Sequence, residues 1–561
     1  MVELENSTRP NCAIIYHPDG FHADREQVKG RHSAGAGFLK GFVDHSGVDK
    51  FVAVTAAKAD FEDFEQLVGA LDPKGRPRVW ARVHDRHLLA QTGTLFVPGP
   101  GLEAEAWNRR YGNERDYSLC GVTHTVASDR VIAGLSRYLV APTQPWDALV
   151  CTSTSVRQVV ERIIGHGAEY LGERFGVAVS NPVRLPVIPL GVDCDHYAPG
   201  ITGADARASL RKRLGIENGD VAALFLGRLS FHAKAHPTPM FIAAERAARR
   251  WPDGKLHVLL VGQFPNHWIE KEFHAAAKRF CEVAQVHVLD GSDNDIVHAS
   301  WRAADLFLSL SDNIQESFGL TPIEAMAAGL PCIVSDWNGY KDTVVDGETG
   351  FRVQTLAPGG GTGVDLADRY ALGLDTYDRF IGATSLSTVT DIEGCAEALH
   401  RLCADNELRA HQSAAAIARA RSSYDWRVVV HAYQELWSEL AELRCSAQGL
   451  SIRDHTDQSA RNDFPDPFDM FQGHPTSLLQ PDTLVCLKSP DPIGDIAQFR
   501  EGELHTFVAH AFLSDAETDA ILTGLCDGPR KVSSFDAFER DRRKCMRTLL
   551  WLGKFDLVEF Q

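Results

Sequence analysis

The chain has 561 residues, 44% of them hydrophobic and 24% charged, the composition of soluble globular material, and its length fits about three to four domains. A formal net charge of −18 argues against a general nucleic-acid binder and against attraction to anionic membranes. The twelve cysteines include no C-x-x-C pair, so neither a zinc site nor a disulfide framework is expected, and buried thiols in a reducing compartment fit them.

The amino-terminal stretch lacks a basic region followed by an apolar one, so no signal peptide is expected. No run approaches the roughly 18 apolar residues of a membrane span, which makes a cytoplasmic protein the expectation. Short apolar runs then predict strands at 13–16, 51–55, 78–83, 119–122, 148–152 and 184–188, with a helix at 153–164. The pattern restarts with strands at 221–226, 257–262, 286–289, 306–310, 331–335 and 350–353. Strands alternating with helices mean parallel sheets covered by helices. Two successive sets give an α/β protein of two facing, doubly wound domains, over 1–195 and 196–422, joined by a Pro- and Gly-rich stretch at 189–200.

A long amphipathic helix at 423–446 closes this pair of domains. Residues 447–500 are rich in Pro and Asp and read as a linker. Residues 501–561 predict a small helical, winged-helix-like module, with helices at 514–526, 533–538 and 539–552 and a strand at 555–560. Eight basic residues against three acidic ones in 529–554 suggest a face for docking a protein partner or another copy of the chain.

The richest chemistry lies at Glu316-Ser317-Phe318-Gly319-Leu320-Thr321-Pro322-Ile323-Glu324. Pro322 suits the first turn of a helix, Gly329 its exit, and Pro331 prevents continuation. The loop before that helix points backbone N–H groups and a helix N-terminus at one spot, which attracts phosphate. Glu316 and Glu324 can accept hydrogen bonds from hydroxyls such as those of sugars and riboses. Phosphate plus polyol indicates a nucleotide-sugar. In an open α/β sheet the ligand lies at the carboxyl ends of the strands, and Glu316 follows the strand at 306–310.

These residues resemble the family 4 retaining glycosyltransferases, which share the GT-B fold. The resemblance is strongest over about 190–445 and also rests on Gly227-Arg228-Leu229 with Lys234, on Val261-Gly262, and on Tyr424-Asp425-Trp426 with the helix that follows. It implies that Glu316 contacts hydroxyls of the donor sugar and Glu324 those of the ribose. Ser317, Phe318, Gly319, Leu320 and Thr321 would line the donor, largely through backbone N–H groups. Arg228 and Lys234 would neutralise the departing diphosphate. Six positions separate that pair where the family often has five, and Ala235 replaces a glycine, so His232 or His236 could share the lysine's role. In the amino-terminal domain His124 resembles a histidine beside the donor sugar, and Gly35 and Gly37 a glycine loop that lets phosphate and acceptor approach the backbone.

Asp193-Cys194-Asp195 and Asp293-Asn294-Asp295 match the Asp-x-Asp metal motif of other glycosyltransferases, but the expectation is a metal-independent enzyme without cofactor. The reading is thus a retaining hexosyltransferase using a nucleotide diphosphate sugar, first a UDP-sugar, with an unidentified acceptor: a glycan, a lipid-linked glycan or a protein. The alternative is a nucleotide-sugar-binding scaffold without turnover.

Overall fold

Runs such as Val221–Leu226 offer no polar face to water, so they must be covered on both sides. A computed structural model describes residues 9–22, 30–199, 204–447 and 459–561 and shows that cover. The chain divides into two compact units, Met1–Thr456 and Asp457–Gln561.

The first unit holds two six-stranded sheets. The first contains β1 (Ala13–Ile15), β2 (Phe51–Val54), β3 (Arg78–Ala81), β4 (Thr94–Val97), β5 (Ser118–Val122) and β6 (Ala148–Val150). The second contains β7 (Val221–Leu226), β8 (Leu256–Gly262), β9 (Gln285–Asp290), β10 (Leu306–Ser309), β11 (Cys332–Ser335) and β12 (Gly350–Val353). Pairing is parallel throughout, in the orders β3-β2-β1-β4-β5-β6 and β12-β11-β10-β7-β8-β9. Each is the doubly wound Rossmann order, which reverses direction between β1 and β4 in one sheet and between β7 and β10 in the other. The crevice above that reversal is where such sheets bind ligands.

Each sheet is buried on both faces. The helix Trp426–Ser446 follows the second sheet in sequence yet packs on the first. Its Trp426, Val429, Val430, Tyr433 and Trp437 join Phe38, Phe42 and Phe96 there. Gln434 Nε2 donates to the carbonyls of Pro10 and Ser46, at 3.0 and 2.9 Å. Below the first sheet, Arg109 and Asp147 form a buried pair whose two N–H···O bonds measure 2.6 and 2.7 Å.

The structure differs from the sequence expectation in three places. The stretch 184–188 makes only isolated bridges, at Arg184 and Val187, and the sixth strand is instead β4 at the centre of the sheet. The expected linker at 447–500 contains the strand Leu484–Leu487 and the helix Pro492–Arg500. That strand is the middle member of a three-stranded antiparallel sheet, flanked by Arg530–Lys531 and Val558–Phe560. Its four apolar residues are hidden among polar and Pro-rich neighbours, but Val485 fills the same core as Leu522, Leu549 and Val558. The part of the expected linker at 448–458 lies outside the described residues. Among the described residues no helix is long and apolar enough to cross a membrane.

Candidate active site

Above the β7/β10 switch point two loops meet. After β7 the chain turns through Gly227 at φ +150° and presents Arg228 and Lys234. A side chain at Gly262, which ends β8, would meet the Gly227 carbonyl oxygen at 1.9 Å, so the close approach of these two strand ends requires glycine. Ser311 Oγ donates to the Lys234 carbonyl at 3.0 Å, and Asn313 Nδ2 donates to that of His232. The loops after β7 and β10 are therefore tied together by hydrogen bonds.

Lys234 Nζ donates to Glu316 Oε2 at 2.5 Å, with both side chains largely buried. Burial alone would raise the Glu316 carboxyl, but the Lys234 ammonium, the Ser317 N–H and the Arg228 charge hold it below its ordinary value. Burial likewise opposes the charge on Lys234, and Glu316 more than offsets it, raising the ammonium above its ordinary value. Arg228 Nη2 donates to the Ala233 carbonyl at 3.2 Å. Of the two histidines that could share the lysine's role, His236 accepts the Thr238 N–H and caps the helix Pro237–Arg250. His232 lies 3.8 Å from Asp378. The contact to Glu316 belongs to Lys234.

Phe318 is 1% exposed, so its ring anchors the loop and only its backbone can meet a ligand. Gly319 takes φ +90°, and a Cβ there would lie 2.1 Å from the Tyr340 ring. The next helix, Leu320–Ala327, has no side-chain cap. Its first N–H groups are therefore left for an outside acceptor. Thr321 Oγ1 is buried without a hydrogen-bond partner among the described residues, a polar orphan at that helix start. Glu324 sits one turn further on. Burial pushes its carboxyl up to about 7, against a hydrogen bond from Tyr197 in the joint between the two sheets.

His124 follows β5 and, with Gly35, Phe38, Phe96 and Trp426, lines a small apolar pocket on the first sheet's side of the crevice. Gly35 and Gly37 do not form a loop as expected. Both lie in the helix Gly30–His45, where Gly35 abuts the Gly20 carbonyl and Gly37 the Trp426 indole. Gly37 is thus a packing glycine against the returning helix.

The Asp-x-Asp triplets have structural partners. Asp193 caps the short helix Cys194–Tyr197 and pairs with Lys40 at 2.6 Å. Asp195 pairs with Arg421 and Arg427, and Asp293 caps the helix Asn294–Ala303.

Residues 206–357 match the family described as glycosyl transferases group 1. Over that segment the chain is similar to the group 1 glycosyltransferases, and its two parallel six-stranded sheets have the GT-B architecture. The D-inositol 3-phosphate glycosyltransferase of Nocardia farcinica (strain IFM 10152) is 33% identical to this chain over 226 residues, 39% of the chain and 46% of the relative. The enzyme of the same name from Rhodococcus erythropolis (strain PR4 / NBRC 100887) is 34% identical over 194 residues, 33% of the chain and 40% of the relative. The match thus spans less than half the length of either curated relative. Similarity of fold extends further: a glycosyltransferase crystal structure from Rickettsia africae ESF-5 aligns with TM-score 0.50 at 13% identity, covering 77% of this chain and 99% of that one.

Several residues of this site carry little or no signal in the sequence. Tyr197 holds Glu324 from the joint. Asp312 is buried and accepts a hydrogen bond from Ser385 Oγ at 2.9 Å, and burial pushes its carboxyl up to about 7. Tyr370 belongs to a two-helix excursion that leaves the second sheet after β12, and its hydroxyl accepts the Asp129 N–H at 3.3 Å. Asn338, at φ +44°, donates from Nδ2 to the Glu316 carbonyl. The one signal for it in sequence is the Asn-Gly dipeptide at 338–339, a turn pair that tolerates a left-handed backbone.

Proposed function

We propose that the chain transfers a hexose from a nucleotide diphosphate sugar to a hydroxyl acceptor, with retention of anomeric configuration. The observation that carries this is the Lys234–Glu316 pair, set beside Arg228 and the uncapped start of the helix Leu320–Ala327 at the switch point. Two cations and a row of backbone N–H groups suit a diphosphate, and two carboxylates suit hydroxyls.

The demanding event is loss of the diphosphate from the anomeric carbon. Arg228, Lys234 and the Leu320 helix stabilise the negative charge that develops there, each donor contributing a few kcal/mol, on the order of 10²–10³ in rate. Lys234 then exchanges Glu316 for a phosphate oxygen, and Glu316 turns to the sugar hydroxyls. Glu324 accepts from the ribose. In this reading the acceptor proton passes to the departing phosphate oxygen on the same face, so Glu316 orients the sugar and is not a nucleophile. Protein cations carry the leaving-group charge, so no metal or cofactor is required, and transfer is expected to survive a chelator. The twelve free cysteines fit a reducing, cytoplasmic setting.

The relatives named for D-inositol 3-phosphate make that compound the first acceptor to try. The donor is tested by thermal shift and turnover with UDP-, GDP- and ADP-hexoses. Stabilisation and turnover with one donor are expected. Replacement of Glu316 or Arg228 by Ala should then lower transfer by about two to three orders of magnitude while the protein stays folded. Wild-type rates in either variant would refute the assignment.

A further inference from the structure

The first turn of the 22-residue helix Thr154–Phe175, which covers the first sheet, is bonded directly to the donor loop of the second. Ser153 caps that helix by accepting the Val156 N–H at 3.2 Å. Its hydroxyl hydrogen is shared between the Ser317 carbonyl at 2.9 Å and Asn338 Oδ1 at 3.2 Å. Ser155 Oγ donates to the Asn338 carbonyl at 3.3 Å, and the Thr154 N–H donates to Asp342 Oδ2 at 2.6 Å. Asn338 is the residue on which this cluster turns. Its left-handed backbone lets one side chain face both ways, Oδ1 toward Ser153 and Nδ2 toward the Glu316 carbonyl. Just behind it, a Cβ on Gly339 would lie 2.4 Å from the Phe318 Cα, so the turn is pressed against the loop and cannot shift by itself.

We propose that Asn338 is a positioning residue that couples contact between the two sheet domains to the orientation of Glu316. The coupling rests on the donor-site reading above for its effect on chemistry, but not for its existence. When the helix Thr154–Phe175 swings away, Ser153 leaves both Ser317 and Asn338. Asn338 then keeps one partner, and the Glu316–Ser317 backbone loses its support from the first domain. Glu316 is thus held for the sugar only while the crevice is closed, when water is excluded and transfer is favoured over hydrolysis.

Two measurements on the full chain test this. In the ligand-free protein, amide hydrogen exchange over 316–320 should speed up about fivefold in Ser153→Ala and in Asn338→Gly, which keeps the left-handed backbone. The double variant should exchange no faster than the faster single variant, because both act on one cluster. Ser153→Thr, which keeps the hydroxyl, should stay at the wild-type rate, whereas Ser153→Asp, which still caps the helix but has no hydrogen to donate to Ser317 or Asn338, should exchange as fast as Ser153→Ala; a wild-type rate in Ser153→Asp would assign the effect to the cap alone and overturn the coupling. With the donor selected by the hexose screen, Asn338→Gly should lower kcat about tenfold or more while affinity for the nucleotide diphosphate changes less than about twofold. Wild-type exchange over 316–320 in Ser153→Ala overturns the coupling. Wild-type kcat in Asn338→Gly overturns its catalytic consequence. If no nucleotide-sugar is turned over by the wild type, the donor-site reading fails, and the exchange experiment still decides the coupling.

Discussion

Two carboxyls at the site, Glu324 and Asp312, are pushed up to about 7 by burial, from ordinary values of 4.5 and 3.8. The folded state therefore holds more protons than the unfolded chain between each ordinary value and about 7. Stability from these groups is fully present below the ordinary values and is lost as pH rises through about 7. Melting temperature should accordingly fall between pH 6 and pH 8 in the wild type, and Asp312→Asn, which keeps an acceptor for Ser385, should flatten that fall. Binding runs the other way at Glu324. In the proposed donor mode ribose hydroxyls donate to the carboxylate, so nucleotide affinity should rise over the same interval, and titration calorimetry of Glu324→Gln should show the rise abolished. At Lys234 the expected loss is of both kinds. Lys234→Ala leaves Glu316 largely buried beside no cation of its own, a situation that typically costs about 3–5 kcal/mol, so denaturant melts should shift along with activity.

Among the elements, the returning helix is seated by glycines. Hypothetical Cβ atoms at Gly37, Gly41 and Gly191 would lie 3.0, 2.7 and 2.4 Å from the Trp426 side chain. Trp426→Ala should cost about 3–5 kcal/mol in a denaturant melt, and Gly41→Ala should fail to accommodate the ring. This seat also shows where sequence reading stops. The glycine at 37 carries the same letter whether it cradles a phosphate or admits an indole, and the partner that decides, Trp426, lies almost 400 positions away. By contrast, the stretch from Glu316 to Glu324 was legible because its signals are local: a glycine forced to positive φ, a proline in a first turn, a carboxylate one turn on. Val261-Gly262 was readable as a strand end, but its cause, the Gly227 carbonyl, was not. Thr94–Val97 was not read as a strand although β2 and β11, of the same length and equally buried on both faces, were. The Asn-Gly pair marks a turn at Asn338, but what Asn338 and Ser153 do depends, like the Trp426 seat, on residues brought near only by folding.

At the scale of the whole molecule, the two compact units have separate cores. Val485, Leu522, Leu549 and Val558 share one of them, and none of these contributes to the cores of the two large sheets. A chain ended at Thr456 should therefore melt cooperatively and bind the donor nucleotide with unchanged affinity, as circular dichroism and calorimetry would show. Loss of binding would mean that the site draws on the carboxyl-terminal unit. That unit, with its basic stretch at 529–554, is where a protein partner or self-association would be sought.

The Lys234–Glu316 ion pair bears on how the reaction ends as well as on how it begins. Each charge is satisfied by the other in the structure, so in the donor mode proposed above an arriving nucleotide-sugar would displace an internal partner from both. A diphosphate stripped of its sugar repays only half of that exchange. It occupies Lys234 and leaves Glu316 in a largely buried position with no hydroxyl to accept from. The carboxylate then competes to reclaim its lysine, and the spent nucleotide is held more weakly than its phosphate contacts alone would suggest. On the proposed reaction, the resting ion pair would act as a built-in spring for product release, wound by the sugar and let go by its departure.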